Sequence, residues 1–340
     1  MINTVYRLCA PRRFEIAFSD LDMTDGVIVR PTHLSICNAD QRYYQGTRDA
    51  KVLKEKLPMA LIHEGVGQVV FDSTGIFQPG DRVVMAPNIP CEEDDYIAEN
   101  YLRSSKFCGS SADGFMQEYY QLAPERLIKL PEGIDLDVAA FTELVSVSVH
   151  AITRFKAIAH NRRDKIGVWG DGNLAYITSL LLTKMLPHSE IHVFGINREK
   201  LSDFSFANST HLTTEIPEDL KLDHAFECVG GNGSPIAIEQ IIDVIKPEGT
   251  ISILGVSEYP VPVNTRMILE KGLRLFGTSR SGKADFRRTV ELYREYPEIP
   301  IFLSRLVGNT VEIEKYADIK KAFEIDVKKA FGKTILHWNI

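Results

Sequence analysis

Cysteine is scarce and scattered in this chain, with Cys9, Cys37, Cys91, Cys108 and Cys228 the full complement. An odd number without close spacing excludes a disulfide framework. No apolar stretch approaches the roughly 20 residues that cross a bilayer, so no membrane helix is expected. A signal-peptide core is also lacking, because Arg7, Arg12 and Arg13 interrupt the short apolar pieces of the amino terminus and Glu15 follows soon after. A cytoplasmic location is the expectation. Basic residues are in the minority, 39 Lys and Arg against 46 Asp and Glu for a net charge of -7. That balance argues against nucleic acid as the main partner. There is no internal repeat, low-complexity tract or linker.

What is present is an ordinary soluble composition, 44% hydrophobic and 25% charged. A length of 340 residues exceeds what one hydrophobic core usually supports, so two domains are expected. The first 140 or so residues alternate short β-rich runs with turn clusters, as in residues 26–30 and 65–71. Around Ala139 the pattern changes. A helix-like run through Val149 precedes a buried strand over 165–169 and a long apolar helix over 174–185, which opens a βαβ unit. Strands over 191–194, 224–228 and 250–254 and a helix over 235–245 continue it, with Lys246-Pro247-Glu248-Gly249 as a stop. A strand over 274–276, an irregular Ser279 to Gly282 loop, a helix over 284–293 and a closing strand over 333–338 complete the reading. The last 55 or so residues are expected to return to the first domain, giving 1–144 with 285–340 and 145–284.

Gly170-Asp171-Gly172-Asn173-Leu174-Ala175 has the G-x-G-x-x-G/A form between the buried strand and the apolar helix. Gly170 permits the tight turn, Gly172 lets a pyrophosphate approach the backbone, and Ala175 keeps helix and strand close. The phosphates then meet the N–H groups and positive end of the helix at Asn173 and Leu174. The next strand ends in Gly195, where an NAD enzyme would carry an acid for the ribose hydroxyls. Gly195 removes a charge that would repel a 2′-phosphate, Arg198 follows where a guanidinium could clasp it, and Asn197 offers an amide donor. NADP(H) is therefore the expected cofactor. Arg198 could equally begin a solvated helix with Glu199 and Lys200.

Four residues of the first half form a soft-plus-hard ligand set: Cys37, the pair His63-Glu64, and Glu143. Their wide separation suits a catalytic zinc, which collects ligands from different loops, better than a structural finger built from tight local pairs. Taken singly, a cysteine is often a small core residue. His63-Glu64, however, interrupts the apolar run Met59-Ala60-Leu61-Ile62, and Glu143 sits within Ala139 to Val145, where a carboxylate costs free energy unless paired or metal-bound.

These residues carry a resemblance to the zinc-dependent medium-chain dehydrogenase/reductase family, in particular its polyol dehydrogenase branch, over nearly the whole chain. Cys37-Asn38-Ala39-Asp40 resembles the family's Cys-x-x-Asp, Ile62-His63-Glu64 its Gly-His-Glu, and Glu143-Leu144-Val145-Ser146-Val147 the polyol-type Glu-Pro-Leu-x-Val. Residues 78–83 are similar to its Pro-Gly-Asp-Arg-Val turn and residues 113–119 to its Asp-Gly-x-x-x-Glu-Tyr segment. More narrowly, residues 34–44, 142–148, 169–174 and 226–231 resemble the ribulose-5-phosphate reductases of bacterial wall-polymer synthesis. The resemblance implies an α/β fold with a sheet-rich GroES-like catalytic domain and a doubly wound Rossmann cofactor domain. It further implies NADPH-dependent, zinc-assisted reduction of D-ribulose 5-phosphate to D-ribitol 5-phosphate for wall teichoic acid or capsule precursor synthesis. Functional coupling to a cytidylyltransferase and a homodimer follow from the same likeness.

The chain departs from the family pattern in the lobe near residues 91 to 108. Many members bind a structural zinc there with four close cysteines, and only Cys91 and Cys108 remain, so one zinc per chain is expected and the run Glu92 to Asp95 reads as a solvated loop. Ala39 stands where relatives carry Ser or Thr to pass a proton, leaving water, the substrate's own hydroxyls or another side chain such as Glu64 for that step. Glu64 itself is expected to bind zinc directly or to exchange with water and substrate. The substrate phosphate calls for cations, offered by Arg42, Arg48, Arg280 and Lys283 without a choice among them. The rival readings are a polyol dehydrogenase of an unphosphorylated sugar, a zinc-free quinone-reductase-like enzyme, and a non-catalytic dinucleotide-binding protein.

Overall fold

The β-rich amino-terminal runs pair as antiparallel strands. β1 (Ile2–Ala10) and β2 (Arg13–Asp20) form a hairpin, and β1 takes β4 (Met59–Ala60) on its other side. The computed structural model describes residues 1–340 throughout. They group into one unit of Met1–Ser146 with Ser281–Ile340 and a second of Val147–Arg280, against sequence-based boundaries at 144 and 285.

In the first unit β3 (Val27–Ser35), β5 (Glu64–Asp72), β6 (Arg82–Met85), β9 (Tyr120–Leu122), β10 (Leu127–Lys129), β17 (Val307–Ile313) and β18 (Lys333–Trp338) form a seven-stranded sheet. Its order is β10-β6-β5-β3-β18-β17, with β9 also on β3. β7 (Asn88–Ile89) and β8 (Lys106–Phe107) make a small separate ladder. The carboxy-terminal strands thus enter the first domain's sheet, as the sequence suggests, and α11 (Tyr316–Val327) supplies Phe323 to a core with Phe14, Tyr44 and Leu336. The helices before it in this unit include α1 (Asn38–Tyr44), α2 (Ala50–Lys56) and α3 (Leu136–Ala139), with α9 (Lys283–Glu295) and α10 (Glu298–Leu303) following the return of the chain.

The helix-like run from Ala139 is not continuous. α3 stops and α4 (Thr142–Ile158) starts at Thr142, whose hydroxyl donates to the Ala139 carbonyl at 2.7 Å. A side chain that bonds the preceding turn in this way competes with an unbroken helical ladder.

In the second unit six strands are all parallel: β11 (Lys165–Trp169), β12 (Glu190–Gly195), β13 (Ser209–Leu212), β14 (Leu222–Glu227), β15 (Ile245–Ile253) and β16 (Arg274–Gly277). Their order, β13-β12-β11-β14-β15-β16, is that of a doubly wound dinucleotide-binding sheet. α5 (Asn173–Met185), α6 (Arg198–Ser202), α7 (Ser234–Val244) and α8 (Thr265–Lys271) connect it, and Trp169 stacks on Phe194 with ring centroids 3.9 Å apart. Lys246 to Gly249 is not a stop. It lies inside β15 as a bulge, marked by the register shift between Leu222 and His224 and by Glu248 at φ 62. Buried Ile245 keeps the strand in the sheet, so the proline and glycine bend the ladder without ending it.

Candidate active site

Cys37 follows β3 and leads into α1, while His63 and Glu64 lie at the start of β5. Asp40 joins these segments. Its Oδ2 accepts the Cys37 backbone N–H at 2.9 Å, and its Oδ1 accepts that of Ile62 at 3.0 Å and lies 3.8 Å from His63 Nδ1. Burial pushes the Asp40 carboxyl up, against the lowering pull of His63 and the two N–H donors.

Ile62 holds φ 68, a left-handed conformation unusual for a β-branched residue, where the family pattern has glycine. Such strain costs about 1–3 kcal/mol and persists only when the surroundings hold it. Here Asp40 holds the Ile62 N–H, and Phe115 N–H donates to the Ile62 carbonyl at 2.8 Å. Gly114 closes over this carbonyl, which a Cβ on Gly114 would meet at 2.3 Å.

Cys37, His63 and Glu64 each offer a ligand atom, and the three atoms lie within 4.8 Å of one another. His63 is buried, and its Nδ1 has no hydrogen-bond partner. Burial opposes a charge on this imidazole, but Asp40, Cys37 and Glu143 together raise its pKa to about 10. Glu143, in the first turn of α4, is buried as well, and its charge is felt at His63 although it stands outside the cluster of three. The fourfold set is thus drawn to one region of the first unit. Sulfur, nitrogen and oxygen donors in this mixture suit a zinc ion.

Sequence reasoning missed Lys333. Glu64 and Lys333 are both buried, with Nζ 2.8 Å from Oε1 and 2.7 Å from Oε2. β5 and β18 flank β3, and Ser35 pairs with Glu64 on one side and Ile335 on the other, so the register brings the pair together. Burial disfavours both charges, yet Lys333 lowers the Glu64 pKa and Glu64 raises that of Lys333. A lysine opening a strand that is otherwise buried was the available signal.

In the second unit Gly170 ends β11 at φ 129, and a Cβ there would stand 3.1 Å from the Ala175 Cβ and 3.2 Å from the Cys228 carbonyl oxygen. A Cβ on Gly172 would meet nothing within 4 Å, so the backbone beside it is open to a ligand. α5 begins at Asn173, and the N–H groups of Asn173, Leu174 and Ala175 point out of its positive end.

Gly195 does end β12, but the strand end is not cleared of negative charge as the sequence suggests. The carboxylate comes from Asp171, whose Oδ2 accepts the N–H groups of Ile196 at 2.8 Å and Asn197 at 2.9 Å. Gly195 gives it room, since a Cβ there would lie 2.7 Å from the Asp171 Cβ. Asn197 Oδ1 caps α6 by accepting from Glu199 and Lys200 at 2.9 and 3.1 Å. Arg198 is exposed and pairs with Glu215 at 2.7 and 2.8 Å, an exchange that costs about 0–1 kcal/mol to break. Buried Glu227, also missed, accepts N–H groups of Val229 at 3.0 Å, Gly230 at 2.8 Å and Gly255 at 3.1 Å, fixing the loops after β14 and β15 where open sheets bind ligands.

The cation candidates lie on different elements. Arg42 is in α1, and the Arg48 guanidinium lies 5.0 Å from the Tyr43 ring. Arg280 closes the second unit at φ 59, whereas Lys283 opens α9 in the first with its backbone N–H on Glu99 at 2.6 Å. In the lobe of the missing thiols, Cys91 is exposed while buried Cys108 lies 3.1 Å from the Tyr120 hydroxyl, and burial pushes its pKa up to about 12. The acidic run between them is exposed.

A GroES-like sheet unit with a half-buried Cys donor beside buried His and Glu donors and a separate doubly wound unit define a class. Residues 23–132 match the alcohol dehydrogenase GroES-like domain and residues 188–295 the zinc-binding dehydrogenase family, and the chain belongs to these zinc-binding dehydrogenases. More particularly, it is similar to the ribulose-5-phosphate reductase of Bacillus spizizenii, 54% identical over 100% of both chains. Ribulose-5-phosphate reductase 1 of Staphylococcus aureus is 56% identical over 99% of both. The solved structure of S. aureus TarJ in complex with NADPH superposes with a TM-score of 0.89 at 50% identity, covering 100% of both chains.

Proposed function

We propose that the chain reduces D-ribulose 5-phosphate to D-ribitol 5-phosphate with NADPH and one zinc ion, as a step in making a ribitol-containing wall-polymer or capsule precursor. The observation that carries the reading is the convergence of donor atoms of Cys37, His63 and Glu64 to within 4.8 Å of one another, in a chain similar end to end to ribulose-5-phosphate reductases. Cys37, His63 and Glu143 would hold the zinc, with Glu64 as a further donor beside them. When bound, the zinc supplies Lewis acidity to the C2 carbonyl oxygen and the nicotinamide supplies the hydride.

The chain's own residues position these groups and manage the proton. Asp40 fixes the backbone at Cys37 and Ile62, and so the two donors beside them. Lys333 restrains the Glu64 carboxylate by its ion pair. With Ala39 lacking a hydroxyl, the proton for the new alcohol comes through water or Glu64. Gly170, Gly172, Asn173, Leu174 and Ala175 receive the pyrophosphate, and Arg198 leaves Glu215 for the 2′-phosphate beside Gly195 and Asn197. One or more of Arg42, Arg48, Arg280 and Lys283 takes the substrate phosphate. We further propose a homodimer built on an open edge of the six-stranded sheet, β13 or β16, and hand-over of the product to a cytidylyltransferase.

The test is a spectrophotometric assay with D-ribulose 5-phosphate, using NADPH and NADH in parallel, before and after chelation, with ribulose as the unphosphorylated control. NADPH oxidation should require both the phosphate and the metal. Cys37→Ala or His63→Ala should lower kcat by about 10³-fold or more, several kcal/mol of lost barrier reduction, with the NADPH Kd nearly unchanged. Full turnover by chelated enzyme would sink the zinc assignment, and equal rates with ribulose would favour a general polyol dehydrogenase.

A further inference from the structure

A second set of metal-type donors lies across three adjacent strands of the first unit. β3, β18 and β17 run side by side, and the register pairs His337 with His33 on one side and Glu312 on the other. α3 lays Asp137 against this row. His337 Nε2 lies 2.7 Å from Asp137 Oδ1, and its Nδ1 is 2.5 Å from Glu312 Oε1. His33 Nε2 lies 3.9 Å from the same Asp137 oxygen, while its Nδ1 bonds the Thr32 hydroxyl at 3.1 Å. The two imidazole centroids are 4.8 Å apart.

Each ring therefore engages Nδ1 with a neighbour and turns Nε2 toward one carboxylate oxygen. This is how metal-binding histidines are held, with the second nitrogen fixed by a carboxylate or hydroxyl. Ligand atoms of His33, Asp137 and His337 lie within 4.8 Å of one another. Tetrahedral zinc with bonds of about 2.0–2.1 Å spaces its donors roughly 3.3 Å apart. The observed 2.7 and 3.9 Å to Asp137 Oδ1 fall on either side of that. A cavity of about 340 Å³ lined by Thr32, His33, Gln68, Arg82, Glu312 and His337 adjoins the cluster and gives access to ion and water.

The bland alternative is that His337 is an imidazolium shared by two carboxylates, since their hydrogen bonds outweigh its burial and raise its pKa. That account leaves the aim of His33 unexplained. We propose that His33, His337 and Asp137 form a second divalent-cation site of zinc type, with Glu312 orienting His337 and water completing the coordination. Its role is a cross-link of β3, β18 and α3, and it stands independently of the proposed reaction.

The test is zinc content by mass spectrometry of full-length protein after dialysis against low-micromolar free zinc, for wild type, Cys37→Ala and the His33→Ala/His337→Ala double variant. The double variant should hold one equivalent less than wild type, and Cys37→Ala should retain that equivalent. Equal zinc in wild type and double variant, both folded by circular dichroism, overturns the proposal. Glu312→Gln keeps all three ligands and should weaken this site on the order of 10- to 100-fold; unchanged affinity likewise counts against it. Zinc should raise the melting temperature of Cys37→Ala by a few degrees and have no such effect once both histidines are also removed. Zinc lost with the histidines but undiminished in Cys37→Ala would support this site while refuting the catalytic one.

Discussion

Single side chains carry constraints that reach across the sequence. Lys333→Met takes from the buried Glu64 carboxylate its ion-pair partner, and should destabilise the first unit by about 3–5 kcal/mol. Adding Glu64→Gln should recover most of that loss in thermal unfolding; equal loss in single and double variants would show that the ion pair is not the cause. Ile62→Gly tests two opposed terms. Relief of the left-handed strain is worth about 1–3 kcal/mol, while deleting a fully buried isoleucine side chain costs about 2–5 kcal/mol. Burial should win, and the melting temperature should fall. Arg198→Ala should raise the NADPH Kd about tenfold and leave that of NADH unchanged, because a charge-assisted bond to a 2′-phosphate is worth about 1.5–3 kcal/mol less the weak Glu215 pair.

At the scale of elements, one buried carboxylate organises the base of the parallel sheet. Asp223 in β14 accepts from Arg162 Nε at 2.9 Å, Lys246 Nζ at 2.9 Å, and the N–H groups of Asp164 at 3.0 Å and Lys165 at 3.1 Å. Burial works against its charge, but these donors hold its pKa below the ordinary 3.8. A folded pKa lower than the unfolded one gives stability that is complete above about pH 4 and is lost as pH falls through the folded value. Asp223→Asn should therefore cost about 2–3 kcal/mol at neutral pH and flatten the acid limb of the stability profile. An acid limb identical to wild type would remove Asp223 from this role. The Lys246 to Gly249 bulge belongs to the same group of contacts, since Lys246 reaches Asp223 from within β15. Turn residues alone read as a stop there, because a proline and glycine carry no record of the partner strand.

For the whole chain, the sequence determined the two-part organisation and the kind of each part. Short β-rich runs between turn clusters specified a sheet-rich domain, and strand–glycine turn–apolar helix specified a dinucleotide sheet, because these signals are local and set by backbone geometry. It also supplied the proposed donors Cys37, His63, Glu64 and Glu143, since polar groups that interrupt apolar runs are visible without coordinates. Tertiary structure decided what holds those donors. Asp40 was legible within the Cys-x-x-Asp spacing, but its bond to Ile62 was not. Lys333 lies 269 residues from Glu64 and meets it only through the β5-β3-β18 register. Asp171 replaces an acid absent from β12 by reaching from another strand's turn into the space that Gly195 leaves. His33, Asp137 and His337 show no spacing pattern and converge only when β3, β18 and α3 are assembled. Local periodicity is written in neighbouring residues, whereas partners for buried charges are chosen by strand order and register, which the chain acquires on folding.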